Sequence, residues 1–102
     1  MKRIINGKKY DTDTARVIYE YCNGLPCNDF GYCREYLFLK KTGEFFIYGE
    51  GGPMTKYATR YGNCYGDGEG ITPLTLDKAK EWAERVGMDV DVYERVFGEV
   101  EE

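Results

Sequence analysis

The stretch from Tyr36 to Gly52, YLFLKKTGEFFIYGEGG, constrains this chain more than any other. Two apolar, aromatic-rich runs, Tyr36-Leu37-Phe38-Leu39-Lys40 and Glu44-Phe45-Phe46-Ile47-Tyr48, have the composition of a pleated, half-buried surface. Between them Lys41-Thr42-Gly43 is a short loop ending in glycine. The pattern predicts a β-hairpin whose Gly43 takes the positive φ of a bulged three-residue turn. Phe38, Phe46 and Tyr48 cannot all face water. An isolated hairpin is marginal, so the rest of the chain must cover at least one of its faces.

The flanks supply candidates for that cover. Lys2 to Tyr10 reads as strand, Asn6-Gly7 turn and strand, anchored by Ile4, Ile5 and Tyr10. Asp11-Thr12-Asp13-Thr14 hydrogen-bonds its own backbone and marks a loop or a helix start. For residues 15–22 the alternation of Val17, Tyr19 and Tyr21 with Ile18, Glu20 and Cys22 favours a strand, and a helix entered through Thr12 or Asp13 is the alternative. Asn23-Gly24-Leu25-Pro26 opens a loop that runs through Gly31. Met54 to Tyr65 is polar and aromatic, and Tyr57, Tyr61 and Tyr65 fall four apart, which predicts a short helical turn fraying before Gly66.

The clearest helix starts at Thr75, an N-cap, with Asp77 in the first turn. Ala79, Trp82, Ala83 and Val86 form an apolar stripe and Gly87 is the stop, so Trp82 should plug the core. A second short helix follows from Asp89, with Val90, Tyr93, Val96 and Phe97 on one side and Gly98 ending it. These features predict an α+β fold: an antiparallel sheet of three to five strands built on the central hairpin and packed by a C-terminal helix pair. At 102 residues the chain should form one domain, 1–102, with one core and a frayed tail over 98–102.

Several chemistries are excluded or disfavoured by residue type. The chain has no histidine and no serine, so the usual general base near neutral pH and any Ser/Cys-His arrangement are missing, and no catalytic residues are expected. Its four cysteines are spaced C-x4-C-x5-C with Cys64 far behind, without the paired C-x2-C knuckles of a zinc site; free, buried structural thiols and no metal or cofactor are expected. Gly49-Glu50-Gly51-Gly52-Pro53 lacks the Gly-Lys-Ser/Thr step of a phosphate loop. Asp67-Gly68-Glu69-Gly70 lacks the ligand alternation of a calcium loop, so both glycine segments read as flexible turns. No run reaches the eighteen apolar residues of a membrane span and no signal-peptide pattern opens the chain, which predicts a cytoplasmic protein.

Charge and tyrosine content point towards binding. From Asp77 onward nine acidic residues face four basic ones, whereas residues 1–76 hold ten basic and nine acidic. An acidic helix pair is repelled by nucleic acid, and no basic patch is legible elsewhere, so direct nucleic-acid binding is not expected. Such a face suits the basic groove of a nucleic-acid-binding protein, or it simply solvates an exposed helix. Ten tyrosines against five phenylalanines suit strand positions, the rim of a small core or a binding surface. The candidate partner-binding residues are Tyr57, Tyr61, Tyr65, Asp67, Glu69, Glu81, Glu84, Asp91 and Glu94. For a small ligand or nucleotide the candidates are Glu50, Gly51 and Gly52 with Tyr57 as a stacking platform.

One resemblance adds to this. Residues 4–15 (IINGKKYDTDTA), Lys41-Thr42-Gly43-Glu44-Phe45-Phe46, Gly49-Glu50-Gly51-Gly52, Lys56-Tyr57, Ile71-Thr72-Pro73-Leu74-Thr75, Ala79, Glu81-Trp82-Ala83 and Phe97-Gly98 resemble a family of small proteins from Firmicutes phages and integrative elements. Some proteins of that type accompany or act as anti-CRISPR inhibitors of type II systems. The resemblance therefore implies a non-enzymatic inhibitor in the host cytoplasm that binds a type II Cas nuclease. The alternatives are a small-molecule sponge and an accessory regulator of the mobile element.

Overall fold

The fold is taken from a computed structural model that describes residues 1–101. A hairpin of β1 (Lys2–Ile5) and β2 (Lys8–Asp11) opens the chain, and β3 (Arg16–Cys22), β4 (Cys33–Leu39) and β5 (Phe45–Gly51) follow. A small hairpin of β6 (Thr59–Tyr61) and β7 (Cys64–Gly66) precedes β8 (Gly68–Leu74), and α1 (Leu76–Val86) and α2 (Val90–Phe97) close the chain. Strands β3, β4, β5 and β8 form one antiparallel sheet in the order β3-β4-β5-β8. The architecture is α+β, with the central β4-β5 hairpin in the middle of the sheet as its composition required.

Local chemistry accounts for the elements that were legible. Asn6 and Gly7, with φ of 51° and 78°, make the two-residue turn of the first hairpin. Thr75 caps α1 by accepting a hydrogen bond from the Lys78 amide, Gly87 ends it in the left-handed region, and Asp89 caps α2. The 15–22 stretch resolves to strand from Arg16 onward: six of the seven residues of β3 pair with β4, and the seventh, Ile18, bulges out between Val17 and Tyr19 and joins Tyr19 and Tyr21 beneath the helices.

Three expectations are corrected. Met54 to Tyr65 is not a helical turn; Thr59–Tyr61 and Cys64–Gly66 pair around Gly62-Asn63, because Thr59, Tyr61 and Tyr65 suit strands and Asn63 suits a turn. The two glycine segments are not free turns: Gly49, Glu50 and Gly51 pair with Gly70, Glu69 and Gly68 as the ends of β5 and β8. And there are two buried clusters, one on each face of the sheet, rather than one core. The first joins Leu37, Phe45 and Ile47 to Ala79, Trp82 and Ala83 of α1 and to Met88. The second joins Phe38, Phe46 and Ile71 to Tyr10 of the first hairpin. Alternation along β4 and β5 sends every second large side chain to the face away from the helices, so that face needs its own cover.

The result is a flat slab, 47 × 33 × 20 Å, with a radius of gyration of 14.7 Å against about 13 Å for an ordinary chain of this length. Trp82 is 3% exposed and packs edge-on against Tyr19. In α2 Tyr93, Val96 and Phe97 pack on the helix-side cluster with Val92, whereas Val90 is exposed instead of joining that stripe. Residues 98–101 carry no regular structure, though the Val100 amide donates to Glu94, and the last residue of the predicted frayed tail, Glu102, lies outside the described residues. No helix among the described residues is long and apolar enough to cross a membrane.

Candidate functional site

On the helix side of the sheet one polar row interrupts the apolar surface. Glu35 follows the same inward alternation as Leu37 and Leu39 and is 5% exposed. Three groups hold its carboxylate: the Trp82 indole donates to Oε1 at 3.2 Å, the Tyr57 hydroxyl donates to Oε2, and the Lys56 ammonium sits 2.9 Å from Oε2. Burial pushes the Glu35 carboxyl up, but the hydrogen bonds from Tyr57, Lys56 and Trp82 and the Lys56 charge outweigh it and leave it below the ordinary value. Tyr57 is driven the other way, well above the usual tyrosine range, by its own burial and by donating to Glu35.

The glycines beside Glu35 explain how Tyr57 reaches it. A Cβ at Gly49 would overlap the Tyr57 ring, and one at Gly68 would overlap the Tyr57 carbonyl. Glycine is therefore required where the Tyr57 segment lies directly on the sheet. Gly51 and Gly52 are buried against Tyr32, Phe30 and Asp29 carbonyls, and the Gly52 amide donates to the Tyr32 carbonyl at 2.8 Å. Their amides and spaces are occupied by the protein itself, so the expected glycine cradle with Tyr57 as a stacking platform is not formed. Glu35 and Tyr57 instead line a small cavity of about 190 Å³ between the sheet and α1, with Lys56, Trp82, Glu81 and Arg85 around it.

The opposite face is arranged otherwise. The first hairpin covers only part of it: Tyr10 packs edge-on against Phe46, 5.5 Å between ring centres, and Phe46 stacks on Phe38 at 5.1 Å. Beyond that cover Tyr36 and Tyr48 lie side by side at 5.9 Å, half-buried, and form the floor of an open trough with Phe38, Glu69, Met1 and Thr12. The next row across the strands is Cys22, Arg34, Glu50 and Glu69. Glu50 and Glu69 are direct cross-strand neighbours of like charge, an arrangement that destabilises a sheet. Neither takes part in an ion pair among the described residues.

Tyrosine hydroxyls are the partners these carboxylates do have. Tyr48 donates to Glu69 at 2.5 Å and lies 3.3 Å from Glu50, and Tyr32 donates to Glu50 at 3.2 Å. Burial, then the Glu69 hydrogen bond and both carboxylate charges, hold the Tyr48 hydroxyl far above its ordinary range. Arg34, opposite Glu50 in the register, turns instead to the Tyr36 hydroxyl at 3.3 Å and the Tyr32 ring, and its Nε is buried without a partner. At the end of the sheet Glu50, Glu69, Asp67, Tyr32 and Cys27 share a depression of about 360 Å³.

The residues singled out by sequence thus separate. Glu50 and Gly51 from the ligand set and Asp67 and Glu69 from the partner set meet in that depression. Tyr57 is on the helix side, and Tyr61 and Tyr65 are exposed on the β6-β7 hairpin with their side chains on opposite faces of it. Glu81 and Glu84 lie on α1, and Asp91 and Glu94 on α2, so they do not join this surface. Tyr32, Arg34, Tyr36 and Tyr48 were not singled out, although the even spacing of Arg34, Tyr36 and Phe38 carries the signal of one shared face.

Two further expectations are revised. Cys22, Cys27 and Cys64 are free but exposed, not buried fillers, and no cluster of potential metal ligands is found among the described residues. A basic patch does exist, since Lys8, Lys9, Lys40 and Lys41 from two hairpins line one cavity. No known protein family, no curated protein and no solved structure matches the chain. The likeness to phage and integrative-element proteins therefore rests on the residues quoted for it.

Proposed function

We propose that this protein is a non-catalytic binding protein that holds a positively charged surface of another protein on the open half of its sheet. The observation that carries this reading is the Glu50–Glu69 pair, two neighbouring carboxylates in no ion pair among the described residues, beside a floor of half-buried tyrosines. A cationic side chain from outside would relieve the repulsion within the pair and lie on the Tyr36 and Tyr48 rings. Tyrosine contributes large contact area at low entropic cost, which suits such a surface.

The partner class comes from the resemblance: a bacterial defence effector, with a type II Cas nuclease as the specific candidate. A protein of that class has a basic groove for nucleic acid, which an acidic surface complements. The sponge reading loses its stacking platform, because Tyr57 lies on the helix side and the space at Gly49, Gly51 and Gly52 is filled by the chain's own atoms.

The test is capture from host lysate on the full-length chain, paired with a CRISPR interference assay. Retention of a nuclease by the native chain, loss with Glu50→Lys/Glu69→Lys and persistence with Glu81→Lys/Glu84→Lys is the expected pattern. No retained defence component together with undiminished interference would end the defence reading. Loss only with the α1 substitutions would move the contact to the helices.

A further inference from the structure

The end of the molecule where the two hairpins meet has the opposite charge. Lys8 and Lys9 of β2 and Lys40 and Lys41 at the β4-β5 turn, more than thirty residues apart in sequence, line a single cavity of about 360 Å³ with Thr14 and Thr42. Glu44 organises it. Its carboxylate takes Lys8 at 2.8 Å, Lys40 at 3.2 Å and the Thr42 hydroxyl at 3.0 Å, and these contacts hold it down to about 2. One carboxylate thus draws two lysines together, and Lys40 is fixed further by its position 4.2 Å over the Tyr10 ring.

The balance of charge is positive. Asp11, the other carboxylate lining the cavity, is buried and accepts the Asp13 amide at 2.9 Å. Lys9 and Lys41 take part in no ion pair among the described residues. Lys2 and Arg3 stand opposite Asp11 and Tyr10 on β1, and Arg16 stands opposite Leu39, next to Lys40. The chain as a whole carries a net charge of −4, so this concentration of cations is a segregation of charge and not a share of an overall excess. At ordinary salt the field that a bound group feels comes from charges within about 8–10 Å, which gives this end a local sign of its own.

We infer that this two-hairpin junction binds phosphate groups of a polynucleotide backbone, without reading sequence. Lysine is a point-charge donor to phosphate, the lysines held by Glu44 need little ordering, and the Thr14 hydroxyl adds a neutral donor. No aromatic ring lines the cavity for a base to stack on, so the contact is to the backbone. This inference is independent of the tyrosine surface, which lies on the far side of the first hairpin's cover.

Fluorescence anisotropy of labelled 20-nucleotide single-stranded RNA and DNA with the full-length chain tests it. Binding should appear at low salt and weaken with a log–log salt slope of about −2 to −3, as three to four displaced counterions on a single strand require. Lys9→Glu/Lys41→Glu should weaken it at least about tenfold, since each removed phosphate contact is also replaced by repulsion. Arg60→Glu/Arg95→Glu, which changes the net charge by the same amount elsewhere, should cost no more than about twofold. Circular dichroism melts check that both variants fold. Absence of low-salt binding, equal losses in the two double variants, or binding of nucleoside triphosphate or inorganic phosphate without any polynucleotide would each overturn the inference.

Discussion

The two faces of the four-stranded sheet solve the same problem differently. On the helix side α1 and α2 cover the strands, and the single buried carboxylate, Glu35, is satisfied by an indole, a phenol and an ammonium. On the hairpin side the cover stops halfway, and two carboxylates face each other with tyrosine hydroxyls between them and no ion-pair partner among the described residues, since Arg34 opposite Glu50 turns to Tyr36. The first arrangement fixes a loop to the fold. The second leaves electrostatic energy to be recovered by something that arrives from outside, which is why polar groups of similar chemistry are read here as structural on one face and as a binding surface on the other.

The contrast can be broken most sharply at Trp82. Trp82→Ala should lower stability by about 3–5 kcal/mol in urea melts, because it empties the helix-side cluster and removes a Glu35 donor. Glu35→Leu should cost about 3 kcal/mol, since the Trp82 N–H and the Tyr57 hydroxyl lose their acceptor in a buried place. Gly49→Ala should cost about 1–3 kcal/mol by displacing the Tyr57 ring, and a neutral result would mean that the loop is not seated on the sheet. Glu50→Gln, the counterpart on the open face, should change stability by less than about 0.5 kcal/mol, with any gain coming from relief of the Glu69 repulsion. A loss as large as that of Glu35→Leu would make the two faces equivalent.

Titration offers a second way to separate them. The Glu35 carboxyl is lowered on folding, so its stabilisation is present above the ordinary carboxylate range and is lost as pH falls through the folded value. The Tyr57 and Tyr48 hydroxyls are raised, so their contributions are intact at neutral pH and decline as pH rises past the ordinary tyrosine range of about 10. Urea midpoints measured from pH 9 to 12 should fall for the native chain and fall less steeply for Tyr57→Phe.

What the sequence disclosed was what neighbours in sequence determine. The central hairpin, the Asn6-Gly7 turn, the Thr75 cap and the Trp82 stripe are local patterns, and the structure has each of them. The strand β8 was not legible, because Gly68, Gly70 and Pro73 argue against a strand until β5 offers them an edge. Gly49 read as part of a turn because the reason for it, the Tyr57 ring, lies eight residues ahead and returns only through tertiary structure. Glu35 could have been found: it occupies an inward position between apolar ones, and a charged residue there requires a partner. The lysine cavity could not, since Lys9 and Lys41 meet only when both hairpins are folded.

The bulge at Val17 has a consequence for how the molecule behaves among copies of itself. A sheet that never closes into a barrel exposes two outer strands to any extended chain nearby. Here one of them is kinked between Val17 and Tyr19 and the other contains Pro73, which has no N–H to offer a newcomer. Both rims of the four-stranded sheet are thereby made poorer templates for fibre growth than flat, fully paired edges would be.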